Sequence, residues 1–235
     1  MSTHSDASML KRVALAVPIL ATAAFAGYLA WSELPREQAR GALNALSDGA
    51  VLEPDAAEEA LRHLETASSR FPMNGSHRIA QARLTLFLMP REPRDAAQAQ
   101  AQLASDYFID GLRRKPNARG AWRGVFAATY VSKGPSPELA RVFEGAYLFD
   151  SAAPFSALTL MGVVLRHPGF VPAERYEQVL TFAQPLYDTW YMRRPMARLY
   201  VTLPEDAQVS MRRSLVEGDA FAKWAESLAA ERAAN

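Results

Sequence analysis

Three stretches of this chain repeat one spacing: Ala60, Leu64, Ala67 and Pro72; Ala104, Phe108, Gly111 and Pro116; and Leu139, Phe143, Ala146 and Ser151. Residues at i, i+4 and i+7 share one face of an α-helix. A small residue on that face lets a neighbouring helix approach, and the bulky residue fills the groove beside it. Proline then ends the helix, because it lacks an N–H and clashes with the preceding turn. The third stretch is looser, with leucine in a small-residue place and serine in place of proline. A chain patterned this way is expected to be all-α, built from antiparallel helices joined by short loops.

Trp122 follows Pro116 by six residues. Together with the spacing, this resembles a tetratricopeptide repeat, whose second helix carries the small–bulky–small pattern and whose first helix carries a tryptophan at that offset. Residues 104–151 resemble the end of one repeat followed by one nearly whole repeat. Two features depart from the family. Val125 and Phe126 stand where leucine and glycine are usual, and the breaks at Pro72, Pro116 and Ser151 are unevenly spaced. Any array is therefore irregular, and a non-repetitive bundle with alanine-rich faces fits the same pattern. The resemblance implies a protein-interaction scaffold with a concave groove.

The chain has 235 residues, a formal net charge of +1 and no cysteine. That length supports a sizeable core, and the missing thiols exclude disulfides and thiolate chemistry. No Gly/Ser-rich linker divides residues 35–235, which read as one helical domain. Helices are expected over residues 37–46, 54–70, 94–114, 118–132, 136–149, 154–166, 173–191, 196–203, 205–217 and 219–232, with another opening after Asn74. Pro185 is expected to kink or split one of them.

Residues 13–31 contain no charged side chain. As a helix they would extend about 28 Å at 1.5 Å per residue, close to a hydrocarbon core of about 30 Å. Lys11 and Arg12 precede the run, and Tyr28 and Trp31 stand at its far end, where aromatic rings favour the membrane interface. The expectation is a short tail over residues 1–12, a single-pass signal anchor over 13–31, and residues 35–235 outside the cytoplasm, in a bacterial periplasm if the source is Gram-negative. A signal peptide cleaved after Ala24-Phe25-Ala26 is the competing reading.

The usual nucleotide, hydrolase and zinc-protease motifs are missing from the sequence. The expectation is a non-enzymatic protein without cofactor or metal. His63 and His77, with Glu59 or Glu65, would make a metal site only if a hairpin brought them together. Exposed helical histidines are the plainer reading. The carboxylates between Glu53 and Glu65 suit a solvated helix start.

One local charge feature remains. Arg113, Arg114, Lys115, Arg119, Arg123 and Lys133 occur with no acidic residue between them. They are the candidate partner-binding residues, for an acidic protein, lipid headgroups or an anionic glycan; an ordinary basic helix end is the alternative. No nucleic-acid partner is expected. The functional expectation is a membrane-anchored scaffold of a bacterial cell-envelope assembly, such as surface-polysaccharide biosynthesis or export. An accessory subunit of a larger membrane complex and a helical glycan-acting enzyme are its alternatives.

Overall fold

The computed structural model describes residues 3–48, 50–89 and 93–234, with side chains described from residue 18 onward apart from 19 and 234. Among the described residues every regular element is helical: α1 Thr3–Gln38, α2 Arg40–Asp48, α3 Pro54–Arg70, α4 Gly75–Phe87, α5 Arg94–Arg114, α6 Ala121–Lys133, α7 Pro137–Asp150, α8 Pro154–Arg166, α9 Ala173–Leu180, α10 Ala183–Asp188, α11 Arg193–Tyr200, α12 Glu205–Arg213 and α13 Gly218–Ala234. Short 3-10 turns stand at Pro168–Phe170 and Trp190–Met192.

All three spaced triplets face inward. Ala60, Leu64 and Ala67, then Ala104, Phe108 and Gly111, then Leu139, Phe143 and Ala146, are buried. They belong to α3, α5 and α7. Consecutive helices from α3 to α8 pack as neighbours. The small residues have a direct role. An added Cβ on Gly75 would stand 2.5 Å from the Gly111 carbonyl oxygen, and one on Gly111 would stand 2.7 Å from Ile79 Cγ1. The backbones of α4 and α5 therefore touch. In the next pair the Phe108 ring fills the space beside Gly124, where a Cβ would meet Cζ at 2.2 Å.

The core runs in three linked clusters. Leu64 and Leu84 centre the first, Phe108 and Val125 the second, and Phe143, Leu160, Tyr200 and Phe221 the third. Trp122 and Val142 pack against both the second and third. Trp122 is half-buried, stacked on Phe149 with ring centroids 5.6 Å apart, and its indole N–H donates to the Pro116 carbonyl at 2.9 Å. It packs edge-on to Gly145, leaving no room there for a side chain.

Several sequence expectations shift. The helix expected over 37–46 is divided: α1 runs through Pro35 to Gln38, and α2 starts at Arg40. The stretch 1–12, expected as a tail, is helical from Thr3. The helix expected over 173–191 divides before Pro185, between Leu180 and Ala183, so that the proline sits in the first turn of α10, where its missing N–H costs no helical bond. Among the described residues no helix is long and apolar enough to cross a membrane. The span expected over 13–31 lies partly outside the described side chains, at residues 13–17 and 19.

Phe108→Ala is expected to lower stability by about 3–5 kcal/mol, as for an aromatic removed from a closed core. Trp122→Ala is expected to cost less, about 2–3 kcal/mol, because one side of the indole faces solvent. Urea unfolding of both variants checks the order.

Candidate partner-binding groove

The basic residues that are close in sequence do not form one patch. Lys133 lies at the far end of α6, about 18 Å along the axis from its start at 1.5 Å per residue, and is paired with Glu138. Arg114 is paired with Asp110, which also holds Arg78 at 3.0 Å. Arg113 is exposed on the last turn of α5. Arg123 lies close enough to Arg83 for the two cations to repel.

Lys115 and Arg119 behave differently. They line a groove of about 630 Å³ with Arg36, Arg40 and Arg83. Leu43, Ile79, Ala80 and Ala118 also line it, with the polar Asn44, Ser47, Ser76 and Asn117, and Glu37 is the one carboxylate among its lining residues. Glu37 is engaged by Arg40 at 2.7 Å, and Arg36 lies 3.3 Å from Glu33. Lys115 Nζ donates to Ser76 Oγ at 3.2 Å, and Arg83 Nη2 donates to the Arg119 carbonyl at 3.3 Å. Loss of water at the groove wall, followed by repulsion from Arg123, lowers the Arg83 pKa from its ordinary value, although nearby Asp150 opposes this. The groove thus gathers cations from α1, α2, α4 and the α5–α6 turn, and an anionic group there would relieve their mutual repulsion.

Asp150 positions one wall. It is buried at the end of α7, where its carboxylate accepts the backbone N–H of Gly120 at 2.9 Å and of Arg123 at 2.8 Å. A residue thirty positions downstream therefore caps the start of α6, which has no side-chain cap of its own. Gly120 has φ 71, in the left-handed region that glycine tolerates, and it directly follows Arg119, which lines the groove. Sequence reading missed Asp150, because the pairing crosses two helices.

The other wall is fixed by a polar joint. Asn74 Nδ2 donates to Glu33 Oε1 at 2.7 Å, and His77 Nε2 lies 3.2 Å from the same carboxylate. His77 is wholly buried, which corrects its expected exposure. His63 instead faces Glu59 at 3.7 Å, and no metal-holding cluster occurs among the described residues. Arg36, Arg40 and Arg83 were not expected at the site, since they lie far from the 113–133 run in sequence.

No protein-family profile, no curated protein and no solved structure matches this chain.

Burial opposes ionisation of Glu33, but the hydrogen bonds from His77 and Asn74 outweigh it and hold its pKa below the ordinary carboxylate value. Its contribution to stability is therefore present above the unfolded pKa, about 4.3, and lost as pH falls through the folded value. Glu33→Gln is expected to flatten the pH dependence of the melting temperature below about pH 5, within that window. Differential scanning fluorimetry from pH 3 to 7 reads this directly.

Proposed function

We propose that this chain is a membrane-tethered helical scaffold that holds an acidic segment of a partner protein in the groove between α2, α4 and the α5–α6 turn. The observation that carries the reading is the convergence of Arg36, Arg40, Arg83, Lys115 and Arg119 on one groove that also has aliphatic lining residues. Arginine forks suit carboxylates, and aliphatic lining residues suit a peptide side chain. The groove lining contains no aromatic ring on which a sugar could stack, which favours a peptide over a glycan.

The tether reading is supported by α1. Its described residues from 20 to 28 are exposed although mostly apolar, and Phe25 and Tyr28 are among them. A largely apolar exposed helical surface suits lipid better than water. Lys11 and Arg12 precede it, consistent with the N-terminus inside and the helical hairpins outside the cytoplasm. On this reading the groove faces the compartment in which envelope assembly machinery works. The tetratricopeptide-like layout, with its buried small–bulky–small triplets, belongs to the same reading.

The test uses the full chain in its native membranes. It is expected to stay with the membrane after alkaline carbonate washing and to retain a protein partner on affinity purification. Arg83→Gln combined with Arg119→Gln is expected to weaken retention roughly fivefold per arginine, from about 1 kcal/mol per partly exposed charge pair. Release by carbonate would overturn the tether, and equal recovery by the double variant would overturn the groove.

A further inference from the structure

Four turns, α3–α4, α5–α6, α7–α8 and α10–α11, lie at the end where α1 leaves the stack. The α3–α4 turn reaches α1 through Arg70, whose guanidinium lies 4.1 Å from the Trp31 ring centre, and through the Tyr28 hydroxyl, which donates to the Arg70 carbonyl at 2.6 Å. Ser76 joins this turn to Lys115 of the α5–α6 turn, at 3.2 Å. Asp150, at the α7–α8 turn, holds Gly120 at 2.9 Å. Phe155, in the first turn of α8, lies 6.3 Å from Tyr191 of the α10–α11 turn, ring centre to ring centre. The exposed apolar stretch of α1 ends at Tyr28 and Trp31, so it projects from this same end.

That edge is rich in exposed apolar side chains. Trp190 is 80% exposed, Met73 and Leu148 72%, Phe155 53% and Phe149 52%. Each lies in one of the turns or in the helix turn beside it. Cations accompany them. Arg113 lies in the last turn of α5, and Arg193 and Arg194 open α11 after Trp190, Tyr191 and the buried Met192; all three arginines are exposed. Rings with basic neighbours at a common level are the composition of a membrane–water interface. A protein that merely stayed in water would leave this edge an unfavourable apolar ledge.

We propose that this edge is a lipid-contacting surface, which lays the helical stack on the headgroups of an anionic bilayer through its aromatic side chains and its arginines. This rests on the tether reading, which delivers the edge to the lipid: inserting α1 along its axis brings Tyr28, Trp31 and the turns to the headgroups together. The arginines then meet lipid phosphates at short range, where solvent screening of about 8 Å leaves their attraction effective. The groove, partly walled by the same α5–α6 turn, is held close to the membrane surface.

The chain has no cysteine, so single cysteines can be labelled without background. Nitroxide labels go on full chains carrying Phe25→Cys, Leu148→Cys or Val51→Cys, the last an exposed position in the α2–α3 connection. Each is reconstituted in phosphatidylcholine vesicles with or without phosphatidylglycerol, and collisions with oxygen and an aqueous nickel chelate are measured. The expected result is a several-fold loss of nickel collisions at 148 on anionic vesicles, with 51 unchanged. Arg113→Glu with Arg194→Glu is expected to abolish that loss, while circular dichroism stays as in the parent. A label at 25 shielded by lipid with 148 as aqueous as 51 would overturn the edge contact and leave the tether standing. Shielding at 148 with 25 aqueous would support the edge and overturn the tether. Both positions aqueous would overturn both. Shielding at 148 only in native membrane extracts, and never on vesicles, would assign the edge to a protein partner and overturn the lipid proposal.

Discussion

A proline inside α1 creates the vacancy that organises the amino-terminal half. Pro35 has no N–H, so the carbonyl of Trp31, four residues earlier, lacks its helical donor. Arg70 Nη1 donates to that oxygen at 3.0 Å while its guanidinium lies over the Trp31 ring. One side chain from the end of α3 thus satisfies a backbone group and a ring of α1. The Glu33–Asn74–His77 joint lies two residues further along α1. Together they tie α1, which continues through its proline to Gln38, to the α3–α4 turn.

Beyond this joint, the stack is built by close approach. Gly75 and Gly111 let α4 and α5 touch backbone to backbone, and Gly124 and Gly145 receive the rings of Phe108 and Trp122. Phe108 and Trp122 thus each have a glycine opposite them on the neighbouring helix. A regular repeat would place such pairs at a fixed interval, but here a long α5 meets shorter α4 and α6. The second and third apolar clusters join through Trp122 and Val142, rather than as identical layers.

The distribution of charge follows from the same architecture. Antiparallel helices return the chain to one edge at every second turn, so cations far apart in sequence meet in space. Arg36, Arg83 and Lys115 line one groove although each belongs to a different segment. Arg114 and Lys133, close to the groove residues in sequence, are instead held by Asp110 and Glu138. A shared edge also explains why exposed rings from α7, α8 and the α10–α11 turn stand together.

The sequence by itself determined the all-helical class, the inward faces of α3, α5 and α7, and most helix bounds, including Arg94–Arg114 and Pro154–Arg166. These depend on local periodicity and on proline breaks, and both are properties of neighbouring residues. The continuity of α1 through Pro35 was decided by tertiary structure, because its compensating donor, Arg70, is thirty-nine residues away. So was the groove. Of the basic residues that stood out in sequence, only Lys115 and Arg119 line it, and its other cations carry no local signature. Likewise Asp150 is an ordinary helix-end carboxylate in sequence and the cap of α6 in space. Spacing along a helix reports which residues share a face; which faces, caps and charges meet depends on how the helices fold back on one another.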